Sequence, residues 1–553
     1  MRLKKLSYLA GAGHSLLGKS VGDALRDMAK RHPSADACVF HHQGIRLSYQ
    51  ELLHQSEEVA HGFLSLGLQR GARVGIFSQN CKEWVLTQFG AALSDLVLVN
   101  LNPAYRRSEL LYALKNVSCE ALVTSPGFKS ADYIKMLGDI CPELEDSKVG
   151  ELRSQTLPSL RWVVKIGDTP SSGMMNFSDL FGRTAPNFQE ITHSVDFEAP
   201  ANIQFTSGTT GNPKGTVLTH HNIVNNGYFL GQHMHYSVAD RVCVQVPLYH
   251  CFGMVMATLA CVTHGSALVF PDYGFNAGSS VSAAEREKCT TLYGVPTMFQ
   301  AFMNEQARQQ KTVSTIRKGV VAGAIATPEL MRRIVDELGI HHMVNCYGMT
   351  EASPVATATK FEESFEKKIS TVGTPFPNTE IKLVNDENQI VSVGETGEIC
   401  FRGYLVMKEY WNNQKGTQEA IDGNGWLHSG DLGALDKDMY LRIVGRKKDM
   451  IIRGGENVFP SEIEAFYNQH PDIDEIHVIG VPDDYYGEIV CAWIKMKPGK
   501  VPLTYEDVKK YGDGQIAYYK IPALVRVVDT FPLTVTGKVM KFAMREEESK
   551  QRK

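Results

Sequence analysis

The sequence predicts an α/β protein with more than one domain. Most of the chain should form mixed, mostly parallel α/β/α sheets, followed by a small β subdomain and a compact α+β unit at the C-terminus. Three observations predict this. Residues 45–345 alternate apolar positions at helical spacing with short β-like runs, the pattern of parallel strands joined by helical crossovers. Strand-like runs dominate after Thr371, and a separate set of strand and helix patterns begins near Arg446. A chain of 553 residues is also too long for a single hydrophobic core.

Taken in order, residues 51–65 place Leu52, Leu53, Val59, Phe63 and Leu64 at helical spacing, and Arg73-Val74-Gly75-Ile76-Phe77 then reads as a strand. Residues 84–93 are helical in pattern and Leu96-Val97-Leu98-Val99 is strand-like. Further strands are expected at Ala121-Leu122-Val123, Trp162-Val163-Val164, Val242-Cys243-Val244, Ala267-Leu268-Val269, Thr290-Thr291-Leu292-Tyr293 and Gly319-Val320-Val321. The β subdomain is expected from 380–384, 398–402 and 440–444. The C-terminal unit reads as Met450-Ile451-Ile452, a Gly-Gly turn, and a helix opened by Pro460 with Glu462 and Glu464 near its positive end. Strands are expected after it at 477–481, 490–494 and 525–528. The charged tail from Glu546 is expected to be solvated.

Composition excludes several classes. Hydrophobic content of 43% and charged content of 21% describe an ordinary globular protein. A net charge of −4 weighs against broad nucleic-acid binding. The longest apolar run, 254–270, is broken by His264, Gly265 and hydroxyl residues, so it reads as a buried helix and a strand, not a membrane span. Eleven cysteines without a Cys-x-x-Cys pair signal neither a disulfide framework nor a zinc site, and a reducing compartment is the simplest inference. The N-terminus is basic (Arg2, Lys4, Lys5, Lys19), a weak likeness to an organelle-targeting segment, and the chain does not end in Ser-Lys-Leu.

Two glycine-rich stretches invite a phosphate reading. Gly13-His14-Ser15-Leu16-Leu17-Gly18-Lys19-Ser20 matches the G-x-x-x-x-G-K-[ST] pattern. A phosphate loop of that kind needs a buried parallel strand before it, and Leu6-Ser7-Tyr8-Leu9-Ala10 is short and poor in β-branched residues. The match therefore reads as coincidence, with a phosphate-loop NTPase that releases ADP and orthophosphate as the rival of another class. The stronger stretch is Thr206-Ser207-Gly208-Thr209-Thr210-Gly211-Asn212-Pro213-Lys214-Gly215, directly after β-like Asn202-Ile203-Gln204-Phe205. Glycines let turned N–H groups form a nest for anions, hydroxyls add donors, and Lys214 adds a compact positive charge. A flexible linker is the alternative reading of the same composition.

Five other stretches carry unusual polar density: Pro247-Leu248-Tyr249-His250-Cys251-Phe252-Gly253, Asn345-Cys346-Tyr347-Gly348-Met349-Thr350-Glu351, Trp426-Leu427-His428-Ser429-Gly430-Asp431, the pair Gly445-Arg446-Lys447-Lys448-Asp449 and Arg453-Gly454-Gly455-Glu456-Asn457, and Pro532-Leu533-Thr534-Val535-Thr536-Gly537-Lys538. In order and spacing, with the 206–215 loop, they resemble the signature motifs of the adenylate-forming (ATP-dependent AMP-binding) superfamily of acyl-CoA ligases, luciferases and peptide-synthetase adenylation domains. Within it they look most like the medium-chain acyl-CoA synthetases of the family member 2 group. The likeness runs from about Val21 to Arg545.

The resemblance implies the adenylate-forming enzyme fold: an N-terminal domain over 1–447, and a mobile C-terminal domain over 448–553 with its hinge at Lys448. It implies conversion of a carboxylic acid, ATP and CoA to acyl-CoA, AMP and PPi through an acyl-adenylate, as part of fatty acid metabolism. A carboxylate with a pKa of about 4–5 is already ionised at neutral pH, so it needs charge stabilisation and positioning, not a general base. By resemblance, Lys538 bridges the carboxylate and the α-phosphate, while Thr206, Ser207, Gly208, Thr209, Thr210, Gly211, Asn212, Pro213 and Lys214 hold the other phosphates. Tyr347 stacks on adenine, Asp431 accepts from the ribose hydroxyls, and Arg446 adds a donor there. Glu351 with Thr350 takes Mg²⁺, which prefers oxygen ligands. His250, Gly323, Gly348 and Gly373 line the acyl pocket, and Gly454, Gly455 and Glu456 line the CoA channel. A mitochondrial matrix location is implied too, although no targeting extension is evident, and cytoplasm is expected if none exists. An aryl-acid CoA ligase or an enzyme loading a carrier protein is the nearest rival. Oligomeric state and chain-length preference are not legible.

Overall fold

A computed structural model describes residues 5–206, 213–324, 326–453, 456–534 and 538–551. Two large sheets dominate. An eight-stranded sheet contains the parallel strands Arg73–Phe77, Val97–Asn100, Ala121–Thr124 and Trp162–Lys165, and pairs Val97–Asn100 with Pro200–Thr206. A nine-stranded sheet carries Asp36–Phe40, Arg241–Val244, Ala267–Phe270, Thr291–Gly294, Lys318–Val321 and His342–Gly348 in parallel. These strands are apolar runs buried along nearly their whole length, as parallel strands covered on both faces must be.

Helices cover the sheets. Tyr49–Ser65 is opened by a reciprocal cap in which Ser48 accepts from the Glu51 amide and Glu51 accepts from the Ser48 amide. Helix Lys82–Leu93 is buried at every position from Trp84 to Leu93, which fits its lack of an amphipathic stripe. One continuous core runs from Val74 and Ile76 through Trp84 and Phe89 to Leu230, Val242 and Leu268, tying the two sheets together. The 254–270 run resolves into a π-helical stretch Phe252–Leu259, a short helix Ala260–His264 and the strand Ala267–Phe270.

A five-stranded antiparallel sheet forms the β subdomain, in the order Tyr8–Ala10, Thr379–Val384, Gly397–Gly403, Leu427–Leu435, Leu441–Arg446. This placement decides the residue 13–20 motif. The strand before it is an antiparallel edge strand. Ser20 caps helix Val21–Arg31, and Lys19 is about half exposed and pairs with Asp27 on that helix. Among the described residues no buried parallel strand precedes this segment, so the phosphate-loop rival loses its structural basis.

The C-terminal unit has its own sheet, built from Ile451–Arg453, Glu456–Val458, Ile473–Asp483, Gly487–Met496 and Leu524–Val527, and its own apolar clusters. One expectation fails here. The tail is not simply solvated: helix Lys541–Gln551 buries Met544 and Glu548. Glu548 accepts from the Trp493 indole at 2.8 Å and pairs with Arg526 at 2.8 Å. Residues four apart share a helix face, so a tail that looks uniformly charged in sequence still presents one face to the sheet.

Candidate active site

Four parts of the fold converge on one cleft: the end of Pro200–Thr206 in the first sheet, the end of His342–Gly348 in the second, the last two strands of the β subdomain, and Lys538 from the C-terminal unit. Thr206 and Lys214 stand directly opposite each other in an antiparallel pair, Pro200–Thr206 with Lys214–Thr219. The two strands that flank the glycine-rich stretch are thus antiparallel neighbours, and a helix starts only at His220. Ser207, Gly208, Thr209, Thr210, Gly211 and Asn212 lie outside the described residues. Pro213 is held by its carbonyl, which accepts from the Tyr112 hydroxyl at 3.1 Å.

Glu351 sits on the short turn Thr350–Ala352 after His342–Gly348 and is only 5% exposed. Its Oε1 accepts from Thr206 Oγ1 at 3.1 Å and from the Tyr410 hydroxyl at 2.9 Å. The Glu351 carbonyl also accepts from Met407 N at 2.9 Å. A nearly buried carboxylate beside hydroxyl oxygens is a hard-oxygen site of the kind Mg²⁺ takes when phosphates supply further ligands. Among the described residues, no group of three or more His, Cys, Asp or Glu side chains could hold a metal by itself.

Asp431 and Arg446 face each other across the pair Leu427–Leu435 and Leu441–Arg446. Arg446 Nε lies 3.2 Å from one Asp431 oxygen, and the Tyr347 hydroxyl donates to the other at 2.8 Å. Burial pushes the Asp431 carboxyl above its ordinary range, against the opposing pull of Arg446, Tyr347 and Lys538. A carboxylate fixed by a planar donor and a phenol is a pre-organised acceptor for a diol.

Lys538 is exposed to solvent, with Gly323, Arg446 and Asp431 near its side chain. Gly323 has φ +85°, a backbone conformation that favours glycine, and a Cβ there would lie in ordinary contact with Lys538 Cε, at 3.6 Å. Desolvation by the surrounding protein is the main cause lowering the Lys538 pKa, with Arg446 adding to it and Asp431 opposing. His250 feels the same cation: burial first, then Lys538, pushes it down to about 4, so it is neutral at physiological pH. The other two expected acyl-pocket glycines have different reasons to be small. A Cβ at Gly348 would fall 1.8 Å from the Pro354 carbonyl oxygen, and one at Gly373 (φ +77°) would fall 1.9 Å from that of Ala358. Both make room for backbone.

Lys448 is exposed on the turn Lys447–Asp449. Its two neighbours in sequence are tied to different parts of the fold. Lys447 pairs with Asp386 at 2.8 Å in the β subdomain, whereas Asp449 pairs with Arg545 at 2.9 Å on the last helix. Glu456 is exposed at the start of a hairpin strand opposite Arg453, and Gly454 and Gly455 lie outside the described residues.

Three residues were missed by the sequence reading. Tyr410 is one. Asn80 and Asn100 are the others, both buried. Asn80 donates to the Val246 carbonyl at 3.0 Å and accepts from Leu248 N at 2.8 Å, and Asn100 donates to the Tyr249 carbonyl at 3.1 Å. Together they brace the segment that delivers His250. Each is a lone residue far along the chain, so no local pattern announces it.

The chain has close counterparts among known proteins. The AMP-binding enzyme family matches residues 25–411, and the AMP-binding enzyme C-terminal domain matches 462–538. The medium-chain acyl-CoA ligase ACSF2, mitochondrial, of Danio rerio is 42% identical, covering 99% of this chain and 91% of the relative. Its counterpart in Rattus norvegicus is 41% identical, covering 98% and 90%. Among solved structures, the anthranilate CoA ligase AuaEII in complex with anthranoyl-AMP superposes with a TM-score of 0.84 at 24% identity, over 97% of this chain and 98% of that one. That likeness establishes a shared fold.

Proposed function

The chain belongs to the AMP-binding enzyme family, and from that premise we propose that it is an ATP-dependent, AMP-forming acyl-CoA ligase acting on medium-chain fatty acids. The observation that carries the reading is the reach of Lys538, from the C-terminal unit, into a cleft shared with Gly323, His250 and the Asp431–Arg446 pair.

In the first half-reaction the fatty carboxylate attacks the α-phosphorus and pyrophosphate leaves. Both reactants are anions, so an ammonium stabilises their approach and the charge that develops. Lys538 would take that role. Tyr347 and Asp431 would seat the adenosine, with Arg446 holding Asp431. Thr206, Lys214 and the intervening loop would hold the pyrophosphate side. Glu351, with Thr350 beside it, would hold Mg²⁺, which when bound neutralises phosphate charge. Neutral His250, braced by Asn80 and Asn100, would border the acyl chain and the incoming thiol.

The second half-reaction needs Lys538 out and CoA in. We assign residues 1–447 and 448–553 as the moving bodies with Lys448 as pivot, which would bring Gly454, Gly455 and Glu456 to the channel. The curated relatives' names place them in mitochondria, and a matrix location is proposed for this chain; organelle fractionation of cells expressing it tests that. The test of function is incubation with MgATP, CoA and a panel of C4–C18 and aromatic acids. AMP and a medium-chain thioester are expected. Preference for aromatic acids, or acceptance only of a carrier-protein thiol, would replace the reading with its nearest rivals.

A further inference from the structure

Tyr410 lies in the two-residue strand Glu409–Tyr410, which pairs antiparallel with the strand leaving the glycine-rich loop, so that Tyr410 stands opposite Thr216. Flanking bonds tighten that seam: Lys408 N donates to the Val217 carbonyl at 3.0 Å and Trp411 N to the Gly215 carbonyl at 2.7 Å. The tyrosine is 7% exposed. Its two ends engage opposite charges. The hydroxyl donates to Glu351 Oε1, the oxygen that also accepts from Thr206. The ring face lies under the Lys214 ammonium, 4.7 Å from the centroid, within cation–π range. Burial, with Glu351 adding to it, raises the Tyr410 pKa, so the phenol stays a donor.

One rigid side chain thus touches a residue at the loop's exit and a carboxylate bonded to the residue at its entrance. Lys214 and Glu351 would attract each other directly if nothing separated them, and an ion pair would occupy the charges that a metal–phosphate group needs. Tyr410 gives the lysine a neutral aromatic face and the carboxylate a neutral donor, so each is fixed while keeping its charge.

We propose that Tyr410 is a positioning residue for the adenylation half-reaction, holding Glu351 and Lys214 at a set separation for the metal-bound polyphosphate of ATP. This rests on the ligase reading for the identity of the nucleotide. The experiment is isothermal titration calorimetry of ATP into the full chain without any acid, with Mg²⁺ or with EDTA, on wild type, Tyr410→Phe and Tyr410→Leu. Tyr410→Phe keeps the packed ring and removes only the donor. It should cost about tenfold in Mg²⁺-dependent ATP affinity and leave metal-free binding near wild type. Tyr410→Leu removes the ring as well and should lose a further ~3-fold in metal-free binding through Lys214. Thioester formation from supplied acyl-adenylate should stay within about twofold of wild type in Tyr410→Phe. Equal losses with and without Mg²⁺, alongside a matching drop in Tm and in both half-reactions, would reduce Tyr410 to a packing residue and overturn the proposal. Variants that bind MgATP like wild type overturn it alone. Wild type that binds no MgATP overturns it together with the ligase reading.

Discussion

Lys538 carries its chemistry through position. In sequence it closes a loose Pro-Leu-Thr-Val-Thr-Gly-Lys run; in the folded chain its amine sits beside Gly323 under the influence of Asp431 and Arg446. Lys538→Ala should lower acyl-adenylate formation by at least ~100-fold, the scale for losing one charge-stabilising group. Thioester formation from supplied acyl-adenylate should remain within several-fold. Rapid-quench measurement of each half-reaction separates the two, and equal loss in both would refute the role. Lys214 is held against an aromatic face and is a supporting charge, so Lys214→Ala should slow adenylation by only about tenfold. A loss as large as that of Lys538→Ala would count against this division of labour. Tyr347 and Asp431 were nameable from sequence only because six motifs occur in family order. Their 2.8 Å bond to each other is not written in either motif, since each stretch of sequence is silent about the partner it meets.

Between elements, the most informative differences are the strand pair that flanks the glycine-rich loop and the last helix. Strand, loop and lysine were legible at 202–214, but the form of the next segment depends on pairing: Lys214–Thr219 is a strand because Pro200–Thr206 lies beside it and Glu409–Tyr410 covers its other edge. The helix Lys541–Gln551 reads as a solvated tail because its sequence, rich in Glu, Lys and Arg, has almost no apolar stripe. One buried apolar side chain, Met544, and one buried carboxylate, Glu548, anchor it instead. Glu548→Ala should destabilise the C-terminal unit by about 2 kcal/mol, because it leaves the Trp493 indole and Arg526 without their buried acceptor. Urea unfolding monitored by Trp fluorescence measures this. ATP binding should be unchanged, and a loss of ATP affinity would show that the helix does more than pack.

For the molecule as a whole, the ion pairs on either side of Lys448 suit a pivot one residue wide. Lys447 to Asp386 lies within the β subdomain, Asp449 to Arg545 lies within the C-terminal unit, and neither pair would break in the proposed rotation. One contact that spans the proposed hinge and would break is the Ser461 hydroxyl donating to the Val444 carbonyl. Lys448→Pro fixes one backbone torsion at the pivot. It should spare adenylation and slow thioester formation by at least ~10-fold, and equal slowing of both steps would argue against a hinge here. Acid stability is a second property of the whole fold. His220 is fully buried with its pKa pushed down to about 4 by burial, while an unfolded histidine titrates near 6.5. Between those values the unfolded chain binds the extra proton, so stability falls as pH drops from about 6.5 toward 4, by on the order of 3 kcal/mol from this group. Tm measured from pH 7.5 to 5 should decline, and His220→Gln should flatten the decline. An unchanged slope would place the acid sensitivity elsewhere.

The amino-acid sequence by itself determined the α/β class, nine of the seventeen strands of the two large sheets, and the family whose motifs the chain carries. These come from local apolar periodicity and from residue types in linear order, which need no folded partner to be seen. Only the tertiary structure decided that the residue 13–20 motif is a helix cap, that Gly348 and Gly373 are small to admit backbone, and that Asn80, Asn100 and Tyr410 serve the cleft. Each of these depends on which atoms from distant segments meet at contact distance. A side chain's burial and partners are set by long-range strand pairing and packing, and one stretch of chain carries no record of the surface that another will place against it.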